Sequence, residues 1–196
     1  MNKVALKEQL SSLALSMFRK DFFGIYHGSI SSKTDSSRFI INSKDAVFDN
    51  LNSKTLIELN YKRDYRWNDA SIDSNIHLGI YKNFSDAKFI TFTMPQFTTA
   101  YSINHTVVIP QDYFGDKFIG TIPIYDIKQF DDWYDRASSE IPHYFLTHKT
   151  NIMIIRGYGV YIYDRDIHVM AKKLAILEKS CRMLMLNSSS EESKFI

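Results

Sequence analysis

The strongest constraint on the fold lies in the C-terminal third of the chain. Two apolar runs, Asn151–Ile155 and Gly159–Tyr163, flank Gly157-Tyr158-Gly159, and the glycines fit a tight turn between paired strands. Immediately afterwards Met170, Leu174, Leu177, Cys181 and Leu184 recur at four-three-four-three spacing. That spacing puts one apolar stripe along a helix. A hairpin followed by an amphipathic helix needs a sheet for the helix to cover, which points to layered packing.

The rest of the chain repeats this grammar. Leu6, Leu10, Leu13 and Met17 mark a first helix, which should end before Phe22-Phe23-Gly24. The Ser-rich piece from His27 to Ser37 reads as turns. Arg38–Asn42, Thr55–Leu59 and Lys88–Phe92 read as strands. Asn68-Asp69-Ala70-Ser71 offers N-cap chemistry to a helix striped by Ile72, Ile76 and Ile80. Pro95 suits the first turn of a short helix through Tyr101. Residues 105–124 read as strands joined by turns at Pro110, Gly115, Gly120 and Pro123, and residues 128–149 as helix interrupted at Pro142. The expected fold is a single α/β domain in three α/β/α layers around a central, mostly antiparallel sheet. It should span residues 1–187, with a flexible tail at 188–196.

At 196 residues the chain suffices for one domain with a sizeable core. A formal charge of +2 without a basic, aromatic-interleaved stripe argues against nucleic acid. No apolar run is long enough to span a bilayer. No signal-peptide core follows Met1, and a lone Cys181 leaves no internal disulfide, so a cytoplasmic protein is the simplest expectation.

Four segments carry the chemistry: Gly28-Ser29-Ile30-Ser31, Ala70-Ser71-Ile72-Asp73-Ser74-Asn75-Ile76-His77, Ile90-Thr91-Phe92-Thr93-Met94-Pro95, and Arg156-Gly157-Tyr158-Gly159. In order and spacing they resemble the class II aldolase/adducin family. Its enzymes read Pro-Ser-Ser-Glu-x-x-x-His, then His-x-His, then His-Gly. The resemblance implies that Asp73 stands at the family's Glu, and that Thr91, Thr93 and Tyr158 stand where three imidazoles bind zinc. A threonine hydroxyl is a weak zinc donor, and a tyrosine binds metal only as a phenolate, which its ordinary pKa of about 10 opposes. No cofactor is therefore expected. His27, His77, His105, His143, His148 and His168 form no His-x-His pair, and His77 reads as structural. Only convergence of His105 or His168 on Asp73 would restore a metal site.

The resemblance also implies an anion or sugar-phosphate pocket built from Gly28, Ser29, Ser43, Lys44 and Ser71. Several of these positions depart from the family's Gly-Asn-x-Ser, Thr-Gly and Ser-Ser pattern. Ser71 would act near a helix N-terminus, where free N–H groups favour an anion. A general-acid tyrosine maps onto Tyr113. Two functions follow. The first is an aldolase-like protein that has lost zinc-dependent cleavage and serves as a binding or scaffolding module, as adducin's head domain illustrates for the family. The alternative is a sugar-phosphate aldolase, isomerase or epimerase with Asp73 and Tyr113 as acid/base residues. Either is expected to form a homo-oligomer, with the tetramer common in the family.

Overall fold

A computed structural model describes residues 2–192, with side chains through residue 187. The expected three layers are present. Eight strands form one sheet in the order β3-β2-β1-β4-β8-β7-β6-β5. They are β1 Ser29–Lys33, β2 Arg38–Asn42, β3 Leu56–Asn60, β4 Phe89–Thr93, β5 Val107–Val108, β6 Ile122–Tyr125, β7 Ile152–Ile155 and β8 Gly159–Asp164. Every neighbouring pair is antiparallel except β6 with β7.

One face of the sheet is covered by α1 Lys3–Phe18, α3 Gln96–Asn104 and α6 Ile167–Glu192. Here the helical stripes sit as their spacing predicts: Leu6, Leu10, Met17, Met170, Leu174, Leu177 and Cys181 are all buried. Each such Leu contributes roughly 1.5–3 kcal/mol of transfer free energy. The opposite face is covered by α2 Ser74–Asn83 and α5 Trp133–His148. No helix among the described residues is long and apolar enough to cross a membrane.

Five local expectations change. The Ser-rich stretch contains β1, a central strand, because its serines are buried and hydrogen-bonded across to α2. Ile76 and Ile80 are buried on α2, but Ile72 lies before the helix and is 67% exposed. Residues 113–118 form a short helix, α4 (Tyr113–Phe118), where turns were expected; Asp112 caps it by accepting from the Gly115 N–H. Pro142 does not interrupt α5. Proline lacks the N–H that would bond the Ser138 carbonyl one turn earlier. That carbonyl faces Gly79 of α2, where a Cβ would stand 2.3 Å from the oxygen. Gly79 thus lets the two helices close over the position Pro142 leaves unbonded. The last helix continues past residue 187 to Glu192, so part of the expected tail is helical in backbone, and 193–196 lie outside the described residues.

Candidate functional site

Strand alternation decides which side chains meet α2. In β1, Ile30 points into the core beneath α1 and α6, while Ser29 and Ser31 point to α2. On α2 and its N-cap, Asp73, His77 and Tyr81 recur every four residues and so share one face. The two polar rows interlock. Ser29 Oγ donates to Asp73 Oδ2 at 2.7 Å and lies 2.9 Å from His77 Nε2. Ser31 Oγ lies 2.6 Å from His77 Nδ1 and 2.7 Å from the Tyr81 hydroxyl. From β8, Tyr161 donates to Asp73 Oδ1 at 3.0 Å. All six groups are buried.

Burial sets the electrostatics. Desolvation raises the Asp73 pKa, against the hydrogen bonds from Ser29 and Tyr161, which lower it. Desolvation holds the His77 imidazole down to about 3, so it is neutral at ordinary pH. Burial, together with the Asp73 charge, pushes the Tyr161 and Tyr158 phenols far above their usual value. Neither can serve as a phenolate at neutral pH.

Asp73 opens onto a cavity of about 290 Å³. Its lining includes Tyr26, His27, Phe92, Met94, Tyr134 and Tyr158, together with Lys44 and Ser71. Phe92 is sandwiched between Tyr161 (ring centroids 4.6 Å apart) and Tyr158 (4.9 Å), and the Tyr158 and Tyr134 hydroxyls meet at 2.8 Å.

Of the three positions expected to replace zinc ligands, only Tyr158 lines this cavity. Thr91 and Thr93 are fully buried; Thr91 donates to the Ser29 carbonyl at 2.7 Å, and Thr93 Oγ has no partner. Register explains it. Phe92 pairs with Tyr161, and both face α2 and α5, so the intervening threonines point the other way. Beside Asp73 the strand offers a phenyl ring and, just past its end, the Met94 thioether. That donor set does not fit a zinc ion, which takes imidazole, thiolate or carboxylate ligands. His105 stacks on Tyr101 and His168 begins α6; neither lines the cavity. Among the described residues no three His, Cys, Asp or Glu side chains cluster for a metal.

The expected anion cradle is only partly assembled. Gly28, Lys44 and Ser71 line the cavity; Ser29 and Ser43 do not. The backbone N–H groups of Ser43, Lys44 and Ser71 are spent on the carbonyls of Thr55, Asp69 and Asn42. Lys44 Nζ donates to the Asn68 carbonyl, and Ser71 Oγ accepts the Asp73 N–H. Ser71 precedes the helix by three residues, because the N-cap is Asp73. Gly28 adopts φ +135°, and a Cβ there would fall 2.4 Å from the Phe23 ring, so its absence of side chain is needed for packing as well.

Tyr113 is not brought to Asp73 within the chain. It is 67% exposed on α4, which packs on α6 in the layer opposite α2. Its hydroxyl accepts from Lys117. Sequence reasoning missed Tyr81, Tyr134 and Tyr161, and gave no role of their own to Ser31, Phe92 and Met94 within the motifs it quoted. The four-residue recurrence of Asp73, His77 and Tyr81 was the available signal for the buried row.

The family profile described as Class II Aldolase and Adducin N-terminal domain matches residues 8–185. Among solved structures, L-fuculose-1-phosphate aldolase from Thermus thermophilus superposes with a TM-score of 0.82 at 16% identity, covering 95% of this chain and 96% of that one. YgbL from Escherichia coli gives 0.78 at 14% identity, covering 93% and 89%. An aldolase II superfamily protein from Pseudomonas syringae gives 0.77 at 16% identity, covering 96% and 76%. No curated protein sequence matches the chain.

Proposed function

The chain belongs to the class II aldolase and adducin family, and from that premise we propose that it is a binding or scaffolding member without zinc-dependent aldol chemistry. One observation carries the reading. Around Asp73, the side chains from β4, from the residue just after it and from the β7–β8 turn are Phe92, Met94 and Tyr158. Aldol cleavage in a zinc site relies on Lewis-acid stabilisation of an enediolate. A carboxylate beside a phenyl ring, a thioether and a protonated phenol does not supply it. The cavity instead offers aromatic walls, the Ser71 hydroxyl, the Lys44 ammonium, a single imidazole from His27 and the Asp73 carboxyl group.

The test is the metal content of native protein purified without chelator or metal-affinity resin. Sub-stoichiometric metal in well-folded protein is the expected result. Near-stoichiometric zinc would overturn the reading.

A second reading is favoured by the Asp73 network itself. Six buried polar groups require mutual hydrogen bonds to offset their desolvation, and an apolar set of the same shape would serve the fold as well. Such a network suits an acid/base residue acting on a phosphorylated sugar. Tyr113 could assist only from another copy, which ties this reading to a homo-oligomer. Phosphorylated ketoses would then raise the thermal midpoint, because they bind only the folded state. No shift across a panel of them would end this reading.

A further inference from the structure

The hydrogen-bond chain from Tyr81 to Asp73 has a direction, and counting protons reveals it. With Asp73 ionised, Ser29 spends its single O–H on Oδ2. Its remaining contact, at 2.9 Å to His77 Nε2, then requires that nitrogen to be the donor. A neutral imidazole carries one N–H, so Nδ1 is an acceptor and takes the Ser31 O–H at 2.6 Å. Ser31 in turn accepts from the Tyr81 hydroxyl at 2.7 Å. Every arrow runs from Tyr81 toward Asp73.

With a proton on Oδ2 every arrow reverses. Asp73 donates to Ser29, Ser29 donates to Nε2, Nδ1–H donates to Ser31, and Ser31 donates to Tyr81. The two states differ by one proton, held by Asp73 in the second, and by the tautomer of His77. Passage to the second state takes up one proton from solvent onto the Tyr81 oxygen, which is buried and so is reached only through a local opening. The O–H bond of Tyr81 breaks as that of Ser31 forms, the old Ser31 proton goes to Nδ1, the Nε2 proton goes to Ser29, and the old Ser29 proton goes to Oδ2. Tyr61 stands beyond Tyr81. Its ring shares Phe39 with Tyr81, and its buried hydroxyl has no partner.

We propose that His77 is a tautomeric relay for Asp73: the imidazole carries its proton on Nε2 when Asp73 is ionised and on Nδ1 when Asp73 is protonated. Asp73 faces only neutral partners within the network, namely Ser29, Tyr161 and, through Ser29, His77. Tyr134 and Tyr158 face it from α5 and the β7–β8 turn, and Lys44 and His27 stand on the cavity lining. Any occupant of the cavity that protonates or deprotonates Asp73 is therefore registered at Tyr81, on the next two turns of α2. His77 is a positioning residue in this scheme. The relay stands whether or not Asp73 meets a substrate.

The experiment is nitrogen NMR of the full chain labelled in histidine, with the His77 signals assigned by their loss in His77→Gln. Wild-type protein, at a pH where the Asp73 carboxyl carbon reports the ionised form, should show a neutral His77 protonated on Nε2. In Asp73→Asn the Tyr161 hydroxyl still needs an acceptor, which holds the amide oxygen toward Tyr161 and turns the NH₂ to Ser29. That mimics the protonated acid, so His77 should move to the Nδ1–H form. The same tautomer in both proteins, or a charged imidazole in either, overturns the relay. Should the variant not fold, wild-type protein is titrated instead, following the Asp73 carboxyl carbon and the His77 nitrogens together. A shared midpoint, with His77 changing tautomer and not charge, is expected. An unchanged His77 while Asp73 titrates overturns the proposal.

Discussion

The two faces of the sheet share an apolar core but differ in what is buried beside it. Beneath α1, α3 and α6 the sheet meets Leu, Ile, Val and Met, and stability there comes from apolar area removed from water. Beneath α2 the same strands present Ser29 and Ser31 to a carboxyl group, an imidazole and two phenols. Burying those groups is costly unless each finds a partner, and the partners here are mutual. Removing an apolar side chain from the first face creates a cavity. Removing one hydroxyl from the second orphans its neighbours. Both faces carry an apolar core, but only the α2 face also buries an interlocked polar row.

The largest effect should come from the apolar face. Leu174→Ala, at a fully buried position, should cost about 2–5 kcal/mol in urea unfolding. A loss comparable to that of a surface substitution would break the contrast.

Gly79→Ala tests the backbone closure of the second face. Its Cβ would meet the Ser138 oxygen, and overpacking of this kind should cost about 1–3 kcal/mol, read by the same unfolding curves. Wild-type stability would mean that α2 and α5 separate freely.

Ser31→Ala removes a single hydroxyl yet leaves both His77 Nδ1 and the Tyr81 hydroxyl without it. A loss of about 1–3 kcal/mol is expected, against near neutrality if the row were wet.

The remaining predictions concern pH. His77 binds its proton at about 3 when folded and near 6.5 when unfolded, so the unfolded chain is protonated first and stability falls as pH drops from about 6.5 to 3. Asp73 acts with the opposite sign. Its folded pKa is raised, so its contribution is fully present below the unfolded value of 3.8 and is lost as pH rises through the folded pKa. His77→Gln should therefore flatten the acid limb of the stability profile, and Asp73→Asn should steepen it. Parallel profiles for the two variants would contradict the opposed shifts.

Much of the fold was legible because helical stripes survive translation into packing. Leu174 and Leu177 are buried where their spacing places them, and Pro95 sits at the N-cap of α3. Ser29 and Ser31 misled because serine in a run favours turns unless tertiary partners bury it. Pro142 misled because the remedy for its unbonded carbonyl, Gly79, lies on another helix.

The sequence by itself determined the family and the layered α/β/α architecture, since these depend on residue types and their spacing along the chain. Only the tertiary structure decided that Phe92 and Met94, rather than Thr91 and Thr93, meet Asp73. A strand shows alternate residues to opposite faces, and which set turns inward is set by pairing with β1 and β8. It likewise assembled Ser29, Ser31, Asp73, His77, Tyr81 and Tyr161 from three elements, because a buried hydrogen-bond network exists only where partners distant in sequence converge.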